Sequence, residues 1–354
     1  MLNSMANNTH QTSDINIAGM APLMTPAELK EEFKASDAHN DFIYASRKVV
    51  QDSLTHKDDR IIFIVGPCSI HDLDAAIDYA EKLKVLADKF ADKMFIVMRT
   101  YFEKPRTRTG WKGLINDPNL DGSTDILKGI RQARKLLVQL TELGIPTATE
   151  MLDTITPQYL SDLVTYASIG ARTSESQPHR EMASGLSMPV GFKNTTDGSL
   201  SVALNGMASA NASHSFIGTD QNGRLSVVDT TGNRYAHLIL RGGHRGPNYD
   251  AASIRTAVAQ LKASDFDESV VIDCSHGNSE KKYQNQEKVL NSLLEQIKDG
   301  NKNIRGIMME SNLKAGNQSI PKDLKDLNYG QSITDECMDW EMTERLLTNA
   351  YNAL

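Results

Sequence analysis

The sequence predicts an α/β fold, a TIM (β/α)8 barrel with an N-terminal extension and an inserted β-hairpin. Eight short apolar runs recur along the 354 residues, and stretches with helical periodicity lie between most of them. Each run ends in, or just before, a residue that can bind a metal, a phosphate or a carboxylate. Because the active sites of TIM barrels lie at the carboxyl ends of the strands, this pattern predicts an enzyme.

The predicted strands are short enough to be barrel strands, and each precedes a chemically reactive side chain. They span 61–66 before Cys68, 94–98 before Arg99, 145–149 before Glu150, 169–171 before Arg172, 189–192 before Lys193, 237–240 before Arg241, 270–272 before Asp273 and His276, and 304–309 before Glu310. Apolar residues at helical spacing predict helices over 73–90 and 126–140. The connection 99–125 has little helical periodicity and is rich in charge, which indicates a functional loop.

Two regions fall outside the strand–helix alternation. Residues 1–57 are predicted to form a polar arm followed by a helix over 25–56, with Thr25 as its N-cap and Pro26 in its first turn. We expect this extension to serve regulation and oligomer contacts, and 58–354 to form the catalytic barrel. Within the barrel, the β-prone runs 214–219 and 225–228 flank a turn sequence and predict an inserted hairpin at about 212–230.

The overall composition excludes several classes of protein. The chain has 38 Lys and Arg against 45 Asp and Glu, a net charge of −7, which argues against non-specific binding of nucleic acid. Three cysteines without paired spacing argue against a disulfide framework and suit a reducing compartment. No run has the length of a signal peptide or a membrane span, so the prediction is a cytoplasmic protein without a membrane partner.

Cations are concentrated where the predicted site lies. The segment 99–112 carries five cations and one acid, and Arg172, Lys193 and Arg241 follow three other strands. Cations that converge from separate strands repel one another unless an anion lies between them, so we predict a ligand with phosphate and carboxylate groups. A solvated charged surface is the alternative for 99–112. For Lys193 the alternative is a Schiff-base nucleophile, which would need a depressed pKa.

A second set of residues has the chemistry of metal ligands. Cys68, His276 and Glu310 follow the first, seventh and eighth predicted strands, which become neighbours when the barrel closes, and Asp335 lies in a later turn segment. One thiolate, one imidazole and two carboxylates suit Mn, Fe, Co or Zn better than Mg or Ca. Cys68 as a small buried apolar residue and His276 as a core histidine or general acid–base are the alternatives.

Several motifs carry a resemblance to the class I, enterobacterial-type 3-deoxy-D-arabino-heptulosonate 7-phosphate (DAHP) synthases. The resemblance extends from about Thr25 to the C-terminus. The motifs are Gly-Pro-Cys-Ser-Ile-His-Asp at 66–72, Tyr-Phe-Glu-Lys-Pro-Arg-Thr at 101–107, Gly-Ala-Arg-Thr at 170–173, Pro-Val-Gly-Phe-Lys-Asn at 189–194, Leu-Arg-Gly-Gly at 240–243, Asp-Cys-Ser-His-Gly-Asn at 273–278, Glu-Ser-Asn at 310–312, Gly-Asn-Gln at 316–318 and Ser-Ile-Thr-Asp at 332–335.

The resemblance implies a reaction and a set of ligands. Phosphoenolpyruvate would condense with erythrose 4-phosphate and water to give DAHP and phosphate, the first step of the shikimate pathway. It implies one divalent metal on Cys68, His276, Glu310 and Asp335. It implies that phosphoenolpyruvate is bound by Arg99, Lys104, Glu150, Arg172, Lys193 and Arg241, and erythrose 4-phosphate by Arg106 and Thr107. Lys104 and His276 are both candidate proton donors. A related synthase that uses arabinose 5-phosphate, a Schiff-base aldolase at Lys193 and an inactive barrel that only binds phospho-ligands are the alternatives.

The resemblance also implies feedback regulation of a homodimer or homotetramer by an aromatic amino acid. The matching effector positions are Asp14, Pro157, Gln158, Leu186, Ser187, Phe216, Gly218 and Val228. Tyrosine-sensitive relatives tend to carry Gly at the position of Gly218 and phenylalanine-sensitive relatives Ser, so we predict inhibition by tyrosine. The alternative is a hairpin that only packs in the oligomer. Arg108, Thr195 and an additional residue within 241–247 depart from the family pattern near the substrates.

Overall fold

The computed structural model describes residues 12–354, which form a closed barrel of eight parallel strands. The strands are β1 (Ile61–Gly66), β2 (Met94–Arg99), β3 (Thr147–Glu150), β4 (Tyr166–Ile169), β5 (Val190–Lys193), β8 (Ala236–Leu240), β9 (Val270–Asp273) and β10 (Ile304–Glu310), and the antiparallel pair β6 (Ser215–Thr219) and β7 (Leu225–Asp229) lies outside the barrel. Neighbouring barrel strands follow the order β1-β10-β9-β8-β5-β4-β3-β2. The predicted fold class, including the adjacency of the first, seventh and eighth barrel strands, is confirmed.

Helices surround the strands as the apolar periodicity predicts. They are α1 (Pro26–Glu32), α2 (Asp37–Leu54), α3 (Leu73–Lys89), α4 (Ile126–Glu142), α5 (Pro157–Leu160), α6 (Gln177–Gly185), α7 (Ser201–Asn211), α8 (Ala251–Ala263), α9 (Asn285–Lys298) and α10 (Trp340–Ala353), with short 3-10 turns at Ser161–Leu163 and Leu324–Asp326. Leu83 of α3 and Leu137 of α4 are fully buried against the strands. No helix in residues 12–354 is long and apolar enough to cross a membrane.

The structure corrects two of the predicted elements. The single helix over 25–56 is two helices, because Ser36 supplies a second N-cap whose Oγ accepts a hydrogen bond from the His39 amide at 3.2 Å. The fourth barrel strand begins at Tyr166 and ends at Ile169, earlier than the predicted 169–171. The polar Ser168 interrupts the apolar run, and the chain turns at Gly170, whose carbonyl accepts from the Thr173 amide.

The amino-terminal end of the barrel is covered by α2. Val50 and Leu54 of this helix join the apolar cluster inside the barrel, together with Ile62, Tyr166 and Met308. Burial of these side chains removes apolar surface from water at the closed end. The opposite, carboxyl-terminal end carries the long loops, so a ligand has access there. The division of function between 1–57 and 58–354 stays a prediction, and residues 1–11 of the arm lie outside the described residues.

The predicted hairpin is present and presents two different faces. Phe216 pairs with Val228 across the strands, while Ile217, Leu225 and Val227 on the other face are 82%, 82% and 72% exposed. The hairpin tip docks on the N-terminal region, where the Ala27 amide donates to the Gln221 carbonyl at 2.8 Å.

Candidate active site

A cavity of about 820 Å³ opens at the carboxyl ends of the barrel strands. Its walls include most of the side chains that the sequence analysis selected: Lys104, Arg106, Thr107, Glu150, Arg172, Lys193, Arg241, His276 and Asp335. Cys68, Arg99 and Glu310 are 0–1% exposed and lie deeper in the protein. The predicted substrate and metal residues therefore come together at one end of the barrel.

Three of the predicted metal ligands form one cluster. The Cys68 sulfur and carboxylate oxygens of Glu310 and Asp335 all lie within 4.8 Å of one another. Register explains part of this geometry, because Gly66 at the end of β1 pairs with Glu310 at the end of β10. Burial and Glu310 raise the pKa of the Cys68 thiol to about 11, although Lys104 opposes them. Without a cation the thiol therefore keeps its proton, and a bound metal would displace it.

His276, the fourth predicted ligand, is not part of this three-residue cluster but lies beside it. Its Nε2 is 3.9 Å from Glu310 Oε1, and its Nδ1 is 2.9 Å from Asp273 Oδ2. A carboxylate on Nδ1 fixes the tautomer that leaves Nε2 free to ligate, which is the usual support of a metal-binding histidine. His276 also has a φ of +56°, a backbone conformation that non-glycine residues rarely adopt. The donor set therefore fits a divalent metal.

The Arg99 guanidinium is fully buried and incompletely paired. Its Nη2 donates to Glu310 Oε1 at 2.9 Å and its Nε donates to the Pro67 carbonyl at 3.2 Å. Nη1 is buried and has no hydrogen-bond partner among the residues that the structure describes. An unpaired donor on a buried cation is costly unless a ligand satisfies it, so this atom indicates an anion-binding site.

Lys193 is held as a charged ammonium group. Its Nζ donates to Asp273 Oδ2 at 3.0 Å. Burial alone would lower the pKa of Lys193, but Asp273 and the other groups around it together outweigh burial, and the pKa is raised. A Schiff-base nucleophile needs the opposite shift, so the geometry disfavours the aldolase alternative.

Lys104 and the outer arginines complete the cationic wall. Lys104 Nζ lies 3.2 Å from the Cys68 sulfur. Burial opposes the charge on Lys104, but the acidic groups around it together outweigh burial and raise its pKa. Arg172 Nε donates to Thr107 Oγ1 at 3.2 Å, which places the predicted sites for the two substrates side by side. Burial lowers the pKa of Arg241, opposed by Asp273. Arg106 and Thr107 are exposed at the entrance.

Glu150 faces the cavity with an unsatisfied oxygen. It is 6% exposed, and its Oε1 is buried without a hydrogen-bond partner in residues 12–354. Gly170 permits this position, because a Cβ there would lie 2.2 Å from Glu150 Oε1. Neighbouring Glu103 accepts a hydrogen bond from Thr156 Oγ1 at 3.1 Å, and burial and Asp153 raise its pKa to about 7.

Two residues of the site were not assigned a role from the sequence. Asp273 was recognised only as a strand-end acid, although it pairs with both Lys193 and His276. Tyr101 was noted only within its motif, although its ring contacts three cations. The only sequence signal for Asp273 is its position at the end of β9, and nothing in the local sequence distinguishes Tyr101 from a core tyrosine.

Most of the predicted effector residues for which the structure gives contacts lie on or beside the hairpin. Gly218 is buried on its inner face, where a Cβ would lie 2.8 Å from Val228 Cγ2. Gln158 Oε1 accepts from Gln221 Nε2 at the hairpin tip at 2.7 Å. At the hairpin base, Ser184 binds Thr230, which places the neighbouring Leu186 and Ser187 on that side. Asp14 is exposed, and its carbonyl accepts from the Ile17 amide.

Comparison with known proteins identifies the family of this barrel. The model of the DAHP synthetase I family matches residues 31–348. The chain belongs to that family. It is 48% identical over 342 residues to the Tyr-sensitive phospho-2-dehydro-3-deoxyheptonate aldolase of Salmonella typhimurium, which covers 97% of this chain and 96% of the relative. The resemblance predicted from the motifs is confirmed.

Two further relatives support this assignment. The Trp-sensitive phospho-2-dehydro-3-deoxyheptonate aldolase of Escherichia coli is 47% identical over 345 residues, which covers 98% of this chain and 99% of the relative. The solved structure of phospho-2-dehydro-3-deoxyheptonate aldolase from Francisella tularensis SCHU S4 superposes with a TM-score of 0.93 at 48% identity and covers 96% of this chain and 98% of that one. Members of this family thus include enzymes with different aromatic effectors.

Proposed function

We propose that this DAHP synthetase I family member is a DAHP synthase, which condenses phosphoenolpyruvate with erythrose 4-phosphate and water to give DAHP and phosphate. This is the first step of the shikimate pathway to aromatic amino acids. The observation that carries the proposal is the buried, incompletely paired Arg99 beside the Cys68–Glu310–Asp335 cluster. Together they supply sites for an anionic substrate and for a metal, both of which the reaction uses.

The metal site consists of Cys68, His276, Glu310 and Asp335, and it takes one divalent ion of Mn, Fe, Co or Zn. When bound, the ion supplies Lewis-acid polarisation of a carbonyl oxygen. Burial opposes ionisation of Asp335, but Lys104 and His276 nevertheless lower its pKa, so the carboxylate is ready to ligate. The three free, buried cysteines suit a cytosolic enzyme, since one of them serves as a thiolate ligand.

The cations bind the phosphate and carboxylate of phosphoenolpyruvate. Four of these cations line the cavity, namely Lys104, Arg172, Lys193 and Arg241, and Arg99 at the end of β2 lies buried beneath them. Glu150 lies opposite Gly170 in the same wall. Fixed cations stabilise negative charge on the departing phosphate without reorganisation. Arg106 and Thr107, at the exposed entrance, bind the phosphate of erythrose 4-phosphate and orient its aldehyde toward the enol carbon.

Lys104 is the better candidate of the two proton donors. The Nδ1 of His276 is committed to Asp273 and its Nε2 to the metal site. Lys104 lines the cavity and its Nζ lies 3.2 Å from the Cys68 sulfur, so its ammonium group can donate a proton to the alkoxide that forms from the aldehyde beside the metal site.

Phosphate release tests the reaction directly. We expect release from phosphoenolpyruvate only when erythrose 4-phosphate is present, loss of release with a chelator, and recovery with added Mn²⁺. Arabinose 5-phosphate should be a poor substitute. Full activity in chelator together with borohydride trapping at Lys193 would instead support the aldolase, and binding without release would support the inactive barrel.

We further propose that tyrosine inhibits the enzyme by binding beside Gly218 on the inner face of the hairpin. The support is that Gly218 packs closely against Val228: a Cβ here would lie 2.8 Å from Val228 Cγ2, so a larger residue would displace Val228 on the inner face. Gly218→Ser should weaken tyrosine inhibition about tenfold, the scale of one added unfavourable contact of roughly 1.4 kcal/mol. Ala212→Ser adds a hydroxyl at an exposed position near the hairpin and should leave inhibition unchanged. Inhibition by low phenylalanine but not by tyrosine would refute the assignment.

The exposed face of the hairpin supports a homo-oligomer. Ile217, Leu225 and Val227 present adjacent apolar side chains to solvent, which is unusual for a monomer surface. We propose that this face packs against a second copy, in a homodimer or a homotetramer. Replacing all three by Ser should lower the mass measured by sedimentation, and an unchanged mass would exclude this interface.

A further inference from the structure

Tyr101 lies next to three of the cations at the base of the cavity. Its side chain is 1% exposed. The ring centroid is 4.0 Å from Arg99 Cζ, 5.7 Å from Lys104 Nζ and 6.0 Å from Lys193 Nζ. Each distance is within the range over which a cation is attracted to an aromatic ring. One ring thus contacts half of the six residues proposed to bind phosphoenolpyruvate.

The orientation of the ring is fixed by contacts with other parts of the barrel. Its hydroxyl lies 3.0 Å from Ser168 Oγ on β4 and 3.8 Å from the Met308 sulfur on β10. Its backbone carbonyl accepts from the Ile70 amide at 2.9 Å. Because three separate segments hold Tyr101, its ring has a fixed position, against which the longer cationic side chains can pack.

An aromatic ring solves a specific electrostatic problem at this position. The three cations repel one another in a region of low dielectric, and a further carboxylate would neutralise them and compete with an anionic substrate. The π-face attracts cations without occupying their hydrogen-bond donors. The Arg99 Nη1 atom accordingly remains without a partner in the described part of the chain.

We propose that Tyr101 is a positioning residue for the phosphoenolpyruvate site. The π-face of its ring holds Arg99, Lys104 and Lys193 in the arrangement that receives the anion, and its hydroxyl only anchors the ring. The proposal rests on the proposed function for the identity of the anion, but the contacts with the three cations stand independently of it.

A fluorination series at Tyr101 separates electrostatics from shape. Tyr101→Phe keeps the π-face and should change the KM for phosphoenolpyruvate by less than about threefold. Tri- and pentafluorinated phenylalanine at the same position have nearly the same shape but progressively weaker attraction for cations. The weaker attraction for the three cations should raise this KM and the calorimetric Kd in steps toward about tenfold to a hundredfold. The KM for erythrose 4-phosphate should stay within about twofold.

The outcomes distinguish this proposal from the proposed function. Equal phosphoenolpyruvate affinity across the fluorinated series would overturn the positioning role, because a purely structural ring is insensitive to its charge distribution. An effect of Tyr101→Phe as large as that of the pentafluorinated ring would also overturn it and would assign the effect to the hydroxyl. If the wild-type enzyme does not bind phosphoenolpyruvate, the proposed function fails, and the same series is titrated with inorganic phosphate. Thermal unfolding of each variant monitors the fold.

Discussion

Two buried arginines, Arg99 and Arg305, lie at opposite ends of the barrel and have different surroundings. Arg305, 5% exposed at the amino-terminal end, donates to the backbone carbonyls of Ser53, Asp58 and Arg60. Arg99, 0% exposed at the carboxyl-terminal end, pairs with Glu310 and keeps Nη1 unpaired within residues 12–354. The first arginine joins segments of the fold, while the second retains a donor for a ligand.

The pKa shifts of the two guanidinium groups support the same distinction. Burial lowers the pKa of Arg305, which Asp59 and Asp58 only partly offset. Burial also opposes the charge on Arg99, but Tyr101 and Glu310 outweigh it and the pKa is raised. Burial is therefore a poor guide to function by itself. The informative quantity is whether the donors of a buried cation are already satisfied.

The largest expected effect is on catalysis at Arg99. Arg99→Lys keeps the charge but removes the planar group that contacts Glu310, Pro67 and the anion. We expect kcat/KM for phosphoenolpyruvate to fall by roughly a hundredfold, the scale of a charge-assisted hydrogen bond lost at a buried site. Arg305→Lys should change it by less than about threefold. Comparable losses in both variants, measured by phosphate release, would show that the two arginines do not differ in function.

The next effect is on stability at Arg305. Arg305→Lys leaves several backbone carbonyls at the closed end without their donor, so the free energy of unfolding should fall by about 2 kcal/mol. The matched control is Arg345→Lys, since the ion pair of Arg345 with Glu287 is solvent-exposed and should contribute less than about 1 kcal/mol. Urea unfolding measures both. An equal change in the two variants would contradict a structural role for Arg305.

A smaller effect is expected on the pH dependence of stability, through a buried glutamate near the cavity. Glu103, near the cavity, has its pKa raised from 4.5 to about 7 by burial and Asp153. The folded state therefore binds a proton that the unfolded state releases, and this contribution to stability is complete below pH 4.5 and lost as the pH rises through 7. Glu103→Gln should lose less stability than the wild type between pH 5 and 8. The exposed Glu344→Gln is the control, and an unchanged pH profile for Glu103→Gln would refute the assignment.

The smallest effect on activity is expected at the amino-terminal ends of the barrel strands, where Tyr166 and His237 lie. Tyr166 and His237 form a buried hydrogen bond of 2.7 Å, and burial lowers the pKa of His237 to about 4, so the imidazole is neutral. Its Nδ1 faces the Tyr235 carbonyl at 3.0 Å, which makes Nε2 the acceptor for the Tyr166 hydroxyl. Tyr166→Phe should cost about 1–2 kcal/mol of stability and leave kcat within twofold. A large loss of activity would mean that this amino-terminal layer of the barrel takes part in the reaction.

The fold, and the site residues that lie at strand ends, could be predicted from the sequence. Strand periodicity predicts the barrel, and barrel closure then brings Cys68, His276 and Glu310 together without further information. The sequence could not predict which of several possible partners a side chain contacts in the folded structure. Asp273 could not be predicted to hold both Lys193 and His276, because both contacts depend on rotamers. The break between α1 and α2 was missed because the second cap, Ser36, lies inside a continuous polar–apolar pattern.

Anomalous diffraction from a crystal grown with Mn²⁺ and phosphoenolpyruvate tests the central claim most directly. The account predicts one manganese peak bound by Cys68, His276, Glu310 and Asp335, with an anion contacting Arg99 Nη1 above the Tyr101 ring. A peak at other residues, or phosphoenolpyruvate bound away from Arg99, would contradict it.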